Sequence, residues 1–341
     1  MKHDADDPNP RVRLAHGAGG PAMRALIESV FLEGVTDPEA RALGDSAVLP
    51  LGDRFLVVST DAHVVMPPFF PGGDIGRLSV SGVVNDLAMA GCCDVIGLTS
   101  SVIVEEGFPI EALRRIQRSM QVACAEAGTR IVSGDTKVMQ KGEIDGIALS
   151  TSGFGLTDRV LRDSGLLAGD VVITTGTLGD HGLAVLSARH SLGLEGDLRS
   201  DVAPLNGLVR VALDRAGSKL HAMKDPTRGG ATSALTEMAE KSGVSIVLDE
   251  HAVPMSAAAR AAAEILGIDP LSVANEGKAL IGVEASEAAA VLEALRAHPL
   301  GVNAACIARV EAGQPGAVWL DTGFGTRRLV ERDDQPLPRI C

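Results

Sequence analysis

The clearest periodicity in the chain lies between residues 109 and 127. Ile110, Leu113, Ile116 and Met120 recur there at helical spacing among charged positions, which predicts an amphipathic helix. A second helix is predicted over 75–90. Apolar runs at 55–60, 95–104 and 144–153 are short and bounded by glycine or charge, the pattern of strands. Residues 1–20 form an arm without periodicity that ends in His16-Gly17-Ala18-Gly19-Gly20, and a helix over 21–33 follows, with Pro21 suited to its first turn. After a glycine- and aspartate-bearing joint at 166–170 comes a strand at 171–175. Helical patterns at 204–216, 229–242, 256–266 and 286–297 then alternate with β-like runs such as 245–248 and 280–283.

A chain of 341 residues exceeds what one hydrophobic core usually serves. The predicted fold class is therefore α/β, as two α+β domains meeting near residue 160. The divisions are an N-terminal arm and helix (1–35), an N-terminal sheet domain (36–158), a C-terminal α+β domain (159–330) and a mobile tail (331–341). The tail carries two prolines and three acids and has no periodicity, so it reads as extended and solvated.

Composition narrows the function. Aromatic residues make up 2% of the chain and tyrosine is absent, so the cores must be built from Ala, Val, Leu and Ile. The net charge of -13 argues against nucleic acid or an anionic membrane as a partner. No run of 18 uncharged apolar residues predicts a membrane span, and the acidic first ten residues do not read as a signal peptide, so a cytoplasmic location is expected. Five cysteines, at 92, 93, 124, 306 and 341, show neither paired spacing nor a zinc pattern.

Candidate chemistry lies in acids set beside glycine or small residues: Gly44-Asp45-Ser46, Ser59-Thr60-Asp61, Asn85-Asp86, Gly134-Asp135-Thr136-Lys137 and Lys224-Asp225-Pro226-Thr227-Arg228-Gly229-Gly230. Carboxylates on short turns suit Mg²⁺, and neighbouring glycines let backbone N–H groups approach phosphate. Each pair taken singly is also ordinary turn chemistry. There is no GxxxxGK[ST] and no strand-linked GxGxxG, which excludes a P-loop and leaves a dinucleotide fold unsupported. Lys137 and Lys278 are candidate phosphate contacts, with solvated surface positions as the alternative. His16 could be a site residue but reads first as an exposed arm residue, and His181 could equally be a site residue or a helix-start residue. Cys92, Cys93, Cys124 and Cys306 lie in apolar runs and read as core, whereas Cys341 sits on the polar tail, where a thiol can be delivered into a cleft.

In order along the chain, HGAGG (16–20), GDSAVL (44–49), STDAHVV (59–65), FFPGGDIGRLSVSGVVNDLAMAG (69–91), SGDTKV (133–138), GDHG (179–182), DPTRGG (225–230), NEGK (275–278) and PRIC (338–341) resemble the HypE family of hydrogenase maturation factors. That family belongs with the aminoimidazole ribonucleotide synthetase-like ATP-binding enzymes. Two departures stand out: Ala18 replaces an expected serine, and Cys92-Cys93 replaces other residues. Selenophosphate synthetases are less similar, since residues 1–20 lack a cysteine.

The resemblance implies a homodimer paired through its N-terminal sheets, with ATP and Mg²⁺ bound between domains near that interface. The implied reaction is ATP-dependent dehydration of an S-carbamoyl group on Cys341 to a thiocyanate, for the cyanide ligands of a nickel-iron hydrogenase. HypF would supply the carbamoyl group, and the HypC–HypD complex would receive the cyano group. Asp45, Asp61, Asp86 and Asp225 are implied metal–phosphate residues, supported by Asn85 and Asp135. Lys137 would hold phosphate or the amide oxygen, and Glu276 would take a proton. Two other readings stay open: a small-molecule ATP-dependent ligase or kinase in which Cys341 is incidental, and a non-enzymatic scaffold.

Overall fold

The computed structural model describes residues 11–194 and 198–330. After a single 3-10 turn the chain enters α1 (Gly20–Leu26), which continues as a π-helical turn to Phe31, and then the short α2 (Pro38–Arg41). The first domain follows as β1 (Ala47–Leu51), β2 (Arg54–His63), the small ribbon β3 (Phe69–Phe70) and β4 (Gly73–Asp74), and α3 (Ile75–Met89). It ends with β5 (Val95–Glu105), α4 (Ile110–Glu126), β6 (Ile131–Met139) and β7 (Ile147–Thr157). Its sheet runs β1-β2-β7-β5-β6, antiparallel except where β5 meets β6.

The second half begins with β8 (Asp170–Thr174), α5 (Asp180–His190), α6 (Asn206–Ala216), β9 (Leu220–Lys224) and α7 (Gly230–Ser242). It continues with β10 (Ser245–Asp249), α8 (Ala257–Leu266), β11 (Leu280–Glu284), α9 (Ala285–Arg296), β12 (Ala305–Glu311), β13 (Ala317–Asp321) and β14 (Thr326–Leu329). These strands form a seven-stranded sheet, β14-β13-β10-β12-β8-β11-β9. Two mixed layers of helix on sheet match the expected fold class.

The expected strands at 55–60, 95–104 and 144–153 appear as β2, β5 and β7. The helix expected over 109–127 is α4, started at Pro109 and buried through Ile116, Met120, Ala123 and Cys124. One expectation needs correction. Asp135 and Lys137 are expected on a short turn, but they lie within β6, a nine-residue edge strand. Its seven central residues are exposed, so it shows none of the apolar alternation that marks a half-buried strand.

Helix α3 sits between the two halves. Thirteen of its fifteen residues are buried, which is why it reads as a nearly unbroken apolar run rather than an amphipathic one. Small residues allow the close approach: a Cβ on Gly82 would lie 2.9 Å from the His63 Nε2 of β2. The Asp74 carboxylate caps α3, accepting from the backbone N–H groups of Gly76 and Arg77 at 2.8 and 3.0 Å. On its other flank the buried Asn85 amide donates to the carbonyls of Ala203 (3.1 Å) and Glu276 (2.8 Å). The Asn85 Oδ1 accepts from the Leu205 N–H at 2.7 Å.

Asn85 is thus a brace between the halves, with its hydrogen-bonding capacity used by protein backbone. Replacing it with alanine strands one donor and two carbonyls in the interior, so Asn85→Ala should lose about 2–4 kcal/mol of unfolding free energy. Urea denaturation at neutral pH measures this. A loss below about 1 kcal/mol would assign the joint to apolar packing instead.

Candidate active site

The four candidate metal–phosphate carboxylates come from four elements and meet beside α3. Asp45 lies in the loop before β1, Asp61 on β2, Asp86 on α3 and Asp225 just beyond β9. The Ser59 hydroxyl donates to Asp86 Oδ2 at 2.6 Å and lies 3.3 Å from the Asp45 carbonyl. Asp61 Oδ2 lies 3.1 Å from His63 Nε2.

Their electrostatics follow from this crowding. Burial, then the charges of Asp225, Asp61 and Asp45, push the Asp86 carboxyl well above the usual carboxylate range. Burial, then Asp45, raises Asp225 to about 7, against the opposing charge of Lys224. Burial works the same way on Asp61, but the His63 hydrogen bond and charge, with Arg228, outweigh it and hold that carboxyl low.

A resident cation meets the cluster. The buried Lys224 ammonium lies 2.6 Å from Asp45 Oδ1, 3.3 Å from Glu237 Oε2 and 3.8 Å from Asp163 Oδ2. Burial opposes its charge, yet Asp45, Glu237, Asp225 and Asp163 together hold it well above the ordinary lysine range. Lys241 holds Asp163 at 2.6 Å and donates to the Leu43 carbonyl at 2.8 Å. A cavity of about 270 Å³, bordered by Gly44, Asp45, Ala90, Arg162, Asp163 and Lys241, opens beside this network.

The Asp225 loop leads into α7, whose cap residue Gly229 has φ +75° and no side chain to satisfy the first N–H groups. A glycine-capped helix start of this kind receives phosphate oxygens readily. The arm reaches the same loop, where a Cβ on Gly19 would lie 3.1 Å from Arg228. Among the described residues no group of three or more His, Cys, Asp or Glu side chains is arranged to hold a metal ion by itself. The carboxylates converge without closing a cage, and their repulsion favours a cation. Both features fit magnesium arriving with a nucleotide, whose phosphate oxygens complete its shell.

Glu276 lies at the domain junction and is buried. Its N–H donates to Asp201 Oδ1 at 3.1 Å, and Asp201 Oδ2 is 3.2 Å from the Lys278 ammonium. Asp135 and Lys137 are not brought to this cleft within one chain, because β5 and β7 separate β6 from Asp61 on β2. Cys341 lies outside the described residues. Lys224, Asp163, Glu237, Lys241 and Asp201 take roles that the sequence does not predict. Lys224 carried a local signal, a lysine directly before the motif aspartate, while the others meet it only through the fold.

His181, at the start of α5, is fully buried with Nδ1 2.8 Å from the Ser200 hydroxyl and its ring edge-on to Phe70 at 5.5 Å. Burial holds its imidazole down to about 4.

Residues 43–157 match the family model of the AIR synthase related protein N-terminal domain, and residues 168–321 match that of the C-terminal domain. Fold and cleft together therefore define a two-domain AIR synthase-related protein. The carbamoyl dehydratase HypE of Rhizobium leguminosarum bv. viciae is 46% identical, the match covering 100% of this chain and 98% of that protein. A crystal structure of a HypE–HypF complex is 41% identical with a TM-score of 0.85, covering 90% of this chain and 100% of the other. Another, of HypE in complex with ATP, is 39% identical with a TM-score of 0.81, covering 96% and 99%. The chain belongs to the HypE carbamoyl dehydratase family.

The histidine yields a pH dependence. Its folded value lies below the ordinary 6.5, so its contribution to stability is complete above pH 6.5 and drains away as the pH falls toward about 4. Between pH 7 and pH 5 the parent should lose about 2 kcal/mol more unfolding free energy than His181→Asn. Urea titrations at the two pH values check this, and parallel losses would contradict it.

Proposed function

We propose that the chain dehydrates an S-carbamoyl group carried on Cys341 to a thiocyanate, using ATP and magnesium, during hydrogenase maturation. The observation that carries the reading is the converging carboxylate cluster beside a glycine-capped helix start, in a chain 46% identical to a carbamoyl dehydratase.

ATP supplies the phosphoryl group that turns a poor leaving group, the amide oxygen, into phosphate, and magnesium neutralises its charge. Asp45, Asp61, Asp86 and Asp225 would hold the metal–phosphate group, and the N–H groups at the start of α7 would orient phosphate oxygens. The carbamoyl carbon loses its oxygen as phosphate while the nitrogen gives up both protons and forms the triple bond to carbon. Glu276, buried at the domain junction, would accept one of those protons. Asn85 would support the reaction through its hold on the Glu276 carbonyl.

The other four thiols are poor carriers. Burial raises Cys92 to about 11 and Cys93 to about 12, and it also raises Cys124 and Cys306. A carbamoyl group needs a thiolate acceptor, which those positions disfavour. HypF is the proposed donor, in line with the solved HypE–HypF complex, and a HypC–HypD complex is the proposed acceptor of the cyano group. Intact mass spectrometry tests the chemistry. With HypF, carbamoyl phosphate and ATP, the parent should gain a carbamoyl mass and then lose one water, while Cys341→Ala gains nothing. Modification persisting in Cys341→Ala would refute the assignment.

A homodimer paired through its sheets accounts for Lys137 and Asp135. Along β7 every second residue is only half-buried, Ala148, Ser150, Ser152, Phe154 and Leu156, on the face away from α3. By register Ser101 and Ile103 of β5 share that face, as do Asp135 and Lys137 of β6. On the exposed edge strand β6, Lys137 would be open to a partner chain. Lys137→Ala and Asp86→Asn should each be inactive alone, yet equal mixtures after subunit exchange should regain part of the turnover. No recovery in a mixture shown to exchange would place Lys137 in its own chain's site or outside the reaction.

A further inference from the structure

The ammonium of Lys224 and a divalent cation would compete for one carboxylate. Lys224 Nζ stands 2.6 Å from Asp45 Oδ1, so it engages an oxygen that the carboxylate could otherwise offer to a metal. Two further acids lie within reach of the same nitrogen, Glu237 at 3.3 Å and Asp163 at 3.8 Å. They differ in how firmly they are already engaged. Asp163 is held by Lys241 at 2.6 Å, whereas Glu237 has a guanidinium nitrogen of Arg24 only at 4.0 Å. Glu237 is also the more exposed, its side chain retaining 27% of its accessible area against 8% for Asp163. A lysine has a flexible four-carbon stem, so its ammonium can pass between these acids without movement of β9 or α7.

We propose that Lys224 is a resident counter-ion that guards Asp45, and that metal–nucleotide binding displaces its ammonium from Asp45 onto Glu237 and Asp163. The proposal rests on the reading that Asp45 belongs to the magnesium–phosphate site. Without nucleotide, the lysine offsets the mutual repulsion of the buried acids and keeps the cleft assembled. A bare divalent ion must displace it unaided and binds weakly. A nucleotide-bound ion brings phosphate oxygens that engage the start of α7, and this added binding drives the exchange. Lys224 thereby makes the cleft select metal–nucleotide over free metal.

Nucleotide-free protein titrated with Mn²⁺, with free Mn²⁺ followed by electron paramagnetic resonance, tests the exchange. Lys224→Met should bind Mn²⁺ at least about tenfold more tightly than the parent, since a nearby positive charge is gone. Lys224→Arg should keep weak binding. Glu237→Gln removes the less engaged acceptor for the displaced ammonium and should weaken Mn²⁺ binding about threefold, an effect that should vanish in the Lys224→Met background.

A purely structural lysine would lower stability and leave affinity where it was. Unchanged or weaker binding by folded Lys224→Met therefore overturns the proposal. Should that variant not fold, unchanged affinity in Glu237→Gln overturns it. The underlying site is read separately, from Mn²⁺ binding in the presence of ATP to the parent and to Asp86→Asn. Equal binding by those two overturns the carboxylate site and the exchange with it, whereas loss in Asp86→Asn keeps the site and leaves the Lys224 variants to decide the exchange.

Discussion

Four carboxylates held near one another out of bulk water repel, and a folded chain tolerates that only when other contacts fix them in place. Here no single element carries two of the four. Asp45 and Asp61 come from the start of the first sheet, Asp86 from the central helix and Asp225 from the edge of the second sheet. The cleft therefore exists only when both sheets have packed around α3. The same packing energy that assembles the domains holds the acids together, and the raised Asp86 and Asp225 record the resulting strain. A bound cation would relieve it and so tie the stability of the assembled cleft to its occupancy.

Helix α3 makes this possible through its composition. Gly76, Ser79, Ser81 and Gly82 leave little side chain between the helix and its neighbours, so a backbone carrying both Asn85 and Asp86 lies deep in the molecule. These adjacent residues do opposite work. Asp86 points toward Ser59 and the first sheet, while Asn85 takes hold of backbone from the second half. One residue of rotation along the helix turns a site group into a structural brace.

That difference explains what the sequence could and could not reveal. The amphipathic α4 and the apolar strands β2, β5 and β7 were legible, because their faces meet one core and leave a periodic trace. The cluster acids were legible through their small neighbours. Asn85 beside Asp86 is expected to support the acids, and its hold on backbone across the junction was not legible, since local spacing does not report which way a buried amide turns. Strand β6 was illegible, because its central residues are exposed on both faces and show no alternation. The network of Lys224, Asp163, Glu237 and Lys241 leaves no local pattern either. Its members are drawn from a linker, a strand end and one helix, and only the fold brings them to Asp45.

The charge of the cleft also bears on the form in which a sulfur can enter it. A thiolate brought among Asp45, Asp61, Asp86 and Asp225 would add a fifth negative group to a site whose acids already resist ionisation. An S-carbamoyl group, a thiocarbamate, is neutral and carries two N–H donors, which carboxylate oxygens can accept. Under the proposed function the cleft would thus disfavour a free thiolate and suit a carbamoylated sulfur. The product thiocyanate is neutral as well, but it has lost both donors, so the acids that welcome the amide have less to hold once dehydration is complete. ATP would drive the proposed dehydration, and the same electrostatics would favour the carbamoyl form inward and leave the dehydrated form free to depart.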